Sequence, residues 1–323
     1  MKRNQYLVLL MAACLGCGKG SESEQSKFHQ TAPIEETVEI KDSKTVNLDQ
    51  LRSKYGPKVV DYASKVVENG QKIRESPKKQ HFLYDDLEAK LKQRFPGIQP
   101  PRLFGFIDEP REIENIAMLY RAQNDVLKRA SKDEINLPMS FIIASLCNEG
   151  FSLDVDGYVN GTDGFMDYGL DTFGSEFRHI VSKGYLPKSF KSKFEICERT
   201  NEVGRKVKSA SFDSKQDAFE AFVATLAHRQ FLFYNDLKTN GIKRVAIPEE
   251  EKLFFTYKYY NGGPNSIESL LRKRSAKALA TFFDRTITYG STGNAYVVLS
   301  GHLWLQGSGA VDPNSKGKYW WSK

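Results

Sequence analysis

Glu149 follows a mostly apolar run, Phe141-Ile142-Ile143-Ala144-Ser145-Leu146-Cys147, and Phe151 stands two residues further on. A carboxyl group in such surroundings holds its proton, because burial disfavours the charged form. The negative end of a helix dipole pushes modestly the same way. Downstream, Asp154, Asp156, Asp163, Asp167 and Asp171 crowd an otherwise basic chain. One protonated and one ionised carboxyl form the pair that cleaves a glycosidic bond. The first gives its proton to the leaving oxygen, and the second stabilises or captures the sugar cation. Local features alone favour an exposed helix-terminal glutamate at position 149; the segments around it change that balance.

The elements that must position these groups are mainly helices. Asn136 is placed to cap a helix with Pro138 in its first turn. Met139, Ile142, Ile143 and Leu146 then share one buried face, and Gly150 is the expected stop. Asp156-Gly157, Asn160-Gly161 and Asp163-Gly164 mark tight turns and a hairpin between Asp154 and Tyr168. Ser214 to Asp217 forms a capping box with Asp in the usual Glu position, ahead of Phe219, Phe222, Val223, Leu226 and Phe233. A helix ending near Tyr260 is broken by Gly262-Gly263-Pro264, and another spans Asn294 to Gln306. Upstream, Leu51, Tyr55, Val59, Tyr62 and Val66 predict a helix between Asn47 and Glu75. Leu83, Leu87 and Leu91 predict a second, and Ile113, Ile116, Leu119, Tyr120 and Leu127 a third.

Thr162-Asp163-Gly164-Phe165-Met166-Asp167-Tyr168-Gly169-Leu170 resembles the Thr-Asp-Gly-x-x-Asp-Tyr-Gly-Ile segment of chicken-type lysozymes. In that family the acid lies at a helix end shortly upstream, as Glu149 does, and the second carboxylate maps to Asp167, 18 residues on. Asp163 also matches the first hairpin aspartate of goose-type lysozymes. Tyr257-Lys258-Tyr259-Tyr260-Asn261-Gly262-Gly263-Pro264 is similar to the Ala-x-Tyr-Asn-x-Gly-Pro motif of soluble lytic transglycosylases, whose Tyr-Asn pair lines the cleft. The matching residues are Tyr260 and Asn261. Thr292-Gly293-Asn294-Ala295-Tyr296-Val297 is more loosely similar to that family's Thr-x-x-Tyr-Val helix start. The resemblance runs from about residue 136 to 306 as scattered motifs.

The resemblance implies Glu149 and Asp167 as catalytic residues, with Asp163, Tyr168, Asp171, Thr172, Tyr260 and Asn261 along the substrate. Four positions depart from it. Asp171 and Thr172 replace an apolar residue and Gln, Gly150 follows the glutamate where Ser is usual, and Gly174 stands where goose-type enzymes carry a second Asp. The acidic residues of the turn segment suit cationic, N-deacetylated glucosamine.

Lys2 and Arg3, then the apolar run Tyr6 to Gly16, form an export signal too short to cross a membrane. Leu15-Gly16-Cys17 resembles a lipoprotein signal with Cys17 as the lipid-bearing residue; Ala12-Ala13-Cys14 is the alternative. Cys147 and Cys197 remain, either bridged, as an oxidising compartment permits, or as free buried thiols. The net charge of +7 falls to +5 without Lys2 and Arg3, and such a surface attracts polyanions. For an exported chain the fitting polyanion is cell-wall polymer rather than nucleic acid. The aspartates lack calcium-loop spacing, and His29, His81, His179, His228 and His302 form no ligand pair, so no metal or cofactor is expected.

The expected fold class is α+β, mostly α-helical: a lysozyme-like core with a small β-hairpin beside the cleft and a helical N-terminal extension. The expected divisions are an export signal at 1–17, a tether at 18–46, a helical region at 47–132, a catalytic domain at 133–306 and a tail at 307–323, where Trp320 and Trp321 pack on their own domain. The expected activity is cleavage of the β-1,4 bond between N-acetylmuramic acid and glucosamine by a monomeric periplasmic, outer-membrane-anchored or secreted protein. Peptidoglycan glycan strands are the partner, and the lipid anchor is the membrane attachment. Three alternatives stand beside hydrolysis: a lytic transglycosylase giving anhydro products, an N-acetylglucosaminidase, and a wall-binding lipoprotein without activity.

Overall fold

A computed structural model of the chain describes residues 46–75, 93, 107, 110–148, 178–200, 206–284, 290–307 and 310. Asn47 opens helix α1 (Leu48–Tyr55), its side-chain oxygen accepting from the Gln50 amide at 3.0 Å. The periodic stretch expected as one helix is two. Gly56 sits at φ 89°, and Pro57, which has no amide proton to lose, starts α2 (Pro57–Glu75). The second expected helix, around Leu83 to Leu91, lies outside the described residues. The third is α3 (Glu112–Arg129), with Ile113, Ile116, Leu119 and Val126 buried.

Helix α4 (Met139–Asn148) is buried from Met139 to Cys147 on all sides. A helix without a polar face is stable only when surrounded, and each such Ile, Leu or Phe contributes about 1.5–3 kcal/mol. Ser145 returns its hydroxyl to the Phe141 carbonyl at 2.8 Å, which removes the cost of burying it. Asn136 does not cap this helix. Its amide donates to Gln230 Oε1 at 2.7 Å and its side chain to Glu249 at 3.1 Å, while the Phe141 and Ile142 amides reach the Pro138 carbonyl. Gln123 donates to the Leu137 carbonyl at 2.7 Å and Gln230 to the Asn136 carbonyl at 3.0 Å, so the entry to α4 is fixed from two sides.

A helical stretch at 178–183 leads through a 3-10 turn, Lys188–Ser192, into strands β1 (Phe194–Thr200) and β2 (Lys206–Phe212). They pair antiparallel from Phe194↔Phe212 to Thr200↔Lys206. Phe190, Phe194 and Phe212 close the hairpin base, with ring centroids 6.1–6.3 Å apart.

Helix α5 (Lys215–Thr239) begins at the expected Ser214–Asp217 box. The Asp217 amide donates to Ser214 Oγ at 3.1 Å, and the Ser214 hydroxyl to Asp217 at 2.5 Å. Lys193 adds an ion pair to the same carboxylate at 2.6 Å. Helix α6 (Glu249–Gly262) follows, then a short α7 (Glu268–Leu271), α8 (Ala276–Phe283) and α9 (Gly290–Gly307). Helix α5 packs on α3 and α6, and α9 packs on α4 and α6. One continuous hydrophobic core joins them, from Leu51 to Ala310. Among the described residues no helix is long and apolar enough to cross a membrane.

The α+β expectation is corrected: the described residues are mostly helical and their core is built mainly by helices, and the hairpin expected beside a cleft is not among them. The segment meant to form it, Asp154 to Tyr168, lies outside the described residues. The strand pair at 194–212 stands elsewhere in the chain and forms a two-stranded ribbon, not a layer of the fold.

Candidate functional site

Glu149 and Asp167, like Asp163, Tyr168, Asp171, Thr172 and Cys17, lie outside the described residues. Tyr260, Asn261 and the helix that leads to Glu149 are described. The last described residue of that helix is Asn148, whose side-chain amide donates to the Tyr257 hydroxyl on α6 at 2.8 Å. Tyr257 is fully buried, with its ring centroid 5.5 Å from that of Tyr260. The last described turn of α4 is therefore held against the penultimate turn of α6.

Tyr260 and Asn261 divide into a buried and an exposed residue. Tyr260 is 6% exposed and meets Phe222 of α5 edge to face at 6.0 Å, so most of its ring is committed to the core. Asn261, one residue on, is exposed. Gly263 then takes φ 69°, ψ 172°, and its amide bonds to the Tyr259 carbonyl at 3.0 Å. Backbone of that kind is essentially reserved for glycine. The helix is stopped there, leaving Asn261 at its end.

The start of α9 meets this helix end. Asn294 Nδ2 lies 3.4 Å from Asn261 Oδ1, and Lys258 Nζ donates to Thr292 Oγ1 at 2.9 Å. Lys258 is 4% exposed, and burial holds its ammonium below the usual lysine range. Three separate stretches thus converge: the end of α4, the Tyr-Asn-Gly-Gly-Pro end of α6, and the Thr-Gly-Asn start of α9. Asn148, Tyr257, Lys258, Thr292 and Asn294 are the residues that make the junction. The signal for the last four was their place inside the two motif segments; for Asn148 it was adjacency to Glu149.

Comparison with protein-family models, with curated proteins and with solved structures found no match.

Other reactive pairings among the described residues are structural. Ser140 Oγ lies 2.8 Å from His302 Nδ1, an arrangement that could activate a nucleophile. Both are buried, at 0% and 3% exposure, between α4 and α9, and burial pushes His302 down to about 3. A neutral imidazole with no solvent path orders two helices and cannot reach a substrate. Cys147 carries a free thiol at the inner end of the same helix, pushed up by burial and so unreactive. Among the described residues no three His, Cys, Asp or Glu side chains converge on one point. A groove of about 630 Å³ runs between Phe231, Tyr234, Asn235 and Arg244. Its Asp133 and Glu134 walls precede the start of α4, and that helix is ten residues, or about 15 Å, long. The groove therefore lies by the opposite end of α4 from Asn148.

Proposed function

We propose that this protein cleaves peptidoglycan glycan strands as a muramidase, with Glu149 as the proton donor and Asp167 as the ionised partner. The observation that carries the reading is the hydrogen bond from Asn148 to buried Tyr257. It gives the residue before Glu149 a fixed anchor on a helix without a solvated face; a carboxyl group that follows into equally apolar surroundings stays protonated near neutral pH. Glu149 gives its proton to the bridging oxygen. Asp167 stabilises or captures the sugar cation, and water completes hydrolysis. The acidic turn segment favours glucosamine that has lost its acetyl group.

A second reading has its own support. The contacts Asn261–Asn294 and Lys258–Thr292 join the two segments that resemble soluble lytic transglycosylases. In that reaction the muramyl 6-hydroxyl attacks in place of water and leaves an anhydro end. Digestion of purified sacculi, with products identified by mass, tests both. Reducing muramyl ends identify the hydrolase, and anhydro ends the transglycosylase. Reducing glucosamine ends, or no released fragments, would overturn the muramidase assignment.

A further inference from the structure

We infer that the α7–α8 corner is a binding groove for the carboxylate-bearing peptide branches of the glycan strand, an accessory contact beside the proposed cleavage site. A groove of about 380 Å³ opens there, lined by Lys273, Ser275, Lys277, Thr281 and Phe282. Its size is near the lower end of the range for small-ligand sites. Lys273 and Lys277 are both exposed, as are Arg272 and Arg274. Arg272 is committed to Glu268 at 2.5 Å, but among the described residues no carboxylate lies within ion-pairing distance of Lys273, Arg274 or Lys277. Three cations held within five residues without a counter-charge repel one another, and a ligand with spaced negative charges relieves that repulsion. Arg274 also takes the left-handed conformation, φ 50°, just past the end of α7, a place where glycine is normal. Ser275 precedes α8 without a side-chain cap bond, so its hydroxyl is available to a ligand oxygen. The Phe282 wall of the groove lies 5.7 Å from Lys258 Nζ, which bonds Thr292 at the α6–α9 junction. A strand lying along Asn261 and Asn294 would carry its peptide branches past this corner.

Short branches with several free carboxylates fit the groove better than a flat anionic membrane does. The lysines flank a recess, and the one large hydrophobic that stands exposed among the described residues, Val245, is at a different site. The inference rests on the wall-cleaving reading for its ligand, but its test needs no cleavage. The full chain carrying Glu149→Gln is bound to intact sacculi, to peptide-free glycan strands and to anionic phospholipid vesicles, with and without Lys273→Ala/Lys277→Ala. The double substitution is expected to weaken binding to intact sacculi roughly three- to tenfold at low salt. It is expected to leave binding to peptide-free strands unchanged, and Lys273→Arg/Lys277→Arg is expected to restore the loss. Unchanged binding to intact sacculi, an equal loss on peptide-free strands, or a loss confined to vesicles would each overturn the groove assignment. An absence of cleavage by the wild-type chain overturns the enzymatic reading and leaves this comparison interpretable.

Discussion

Asn148 and Tyr257 are joined across 2.8 Å by an amide-to-hydroxyl hydrogen bond, and this bond ties the end of α4 to the penultimate turn of α6. A net hydrogen bond of this kind contributes about 1 kcal/mol. Asn148→Ala and Tyr257→Phe should each cost about that much stability. Combined in a double-mutant cycle they should couple by about 1 kcal/mol, since each removes the same contact. If the end of α4 aims Glu149, both variants also slow wall digestion more than their unfolding midpoints account for. Additive losses would show that the bond contributes nothing, and coupled losses with unchanged digestion that it only packs the fold.

Gly263 carries a second prediction. A Cβ added there meets nothing within 4 Å, so Gly263→Ala strains the backbone alone. The φ 69°, ψ 172° conformation should cost an alanine about 1–3 kcal/mol. A chemical denaturation curve shifted by less than half a kcal/mol would mean that the helix end relaxes freely and does not fix Asn261.

The helices were legible in the sequence because their cues are local. The Ser214–Asp217 box, the apolar spacing of α3 and the Gly-Gly-Pro stop of α6 each act within a turn or two of chain. The break at Gly56-Pro57 is hidden in the sequence because Leu51, Tyr55, Val59 and Tyr62 keep helical spacing across it. Asn136 is ambiguous in the sequence because a cap and a tertiary anchor draw on the same residue, and only the position of Gln230, 94 residues away, decides between them. The strand pair at 194–212 is faint in the sequence for a related reason. Its apolar alternation is limited to Phe194 and Ile196 on one side and Ala210 and Phe212 on the other. The turn dipeptides between Asp154 and Tyr168 are stronger signals in another segment. At the candidate site the motif segments were legible one by one, but the Lys258–Thr292 and Asn261–Asn294 contacts join residues more than 30 positions apart.

His302 makes stability depend on pH in a definite direction. Its folded-state value is pushed down to about 3 by burial, while in the unfolded chain it titrates near 6.5. Between these limits the unfolded chain binds the extra proton, so stability is fully present above about pH 7 and is lost as the pH falls. The slope from this group is at most about 1.4 kcal/mol per pH unit. Denaturant midpoints measured from pH 7 to pH 4 should fall steeply for the wild-type chain and less for His302→Gln, which keeps a polar partner for Ser140. Parallel curves would remove His302 as the cause.

The turn segment carries a substrate prediction. Asp154, Asp156, Asp163, Asp167 and Asp171 crowd the stretch that the proposed function assigns to the substrate. Initial rates on chemically deacetylated sacculi should exceed those on fully acetylated sacculi by about tenfold, the equivalent of one buried charge contact of roughly 1.4 kcal/mol. A clear preference for acetylated wall contradicts this role of the aspartates.

The most direct test of the account is the rate at which Glu149→Gln releases soluble fragments from sacculi, with binding to the same sacculi measured in parallel. Loss of a proton donor costs about 10²–10⁴-fold in rate without weakening ground-state binding. The predicted result is a fall of at least a hundredfold in release with an unchanged Kd. Release at the wild-type rate would contradict the account, because the proton would then come from some other group.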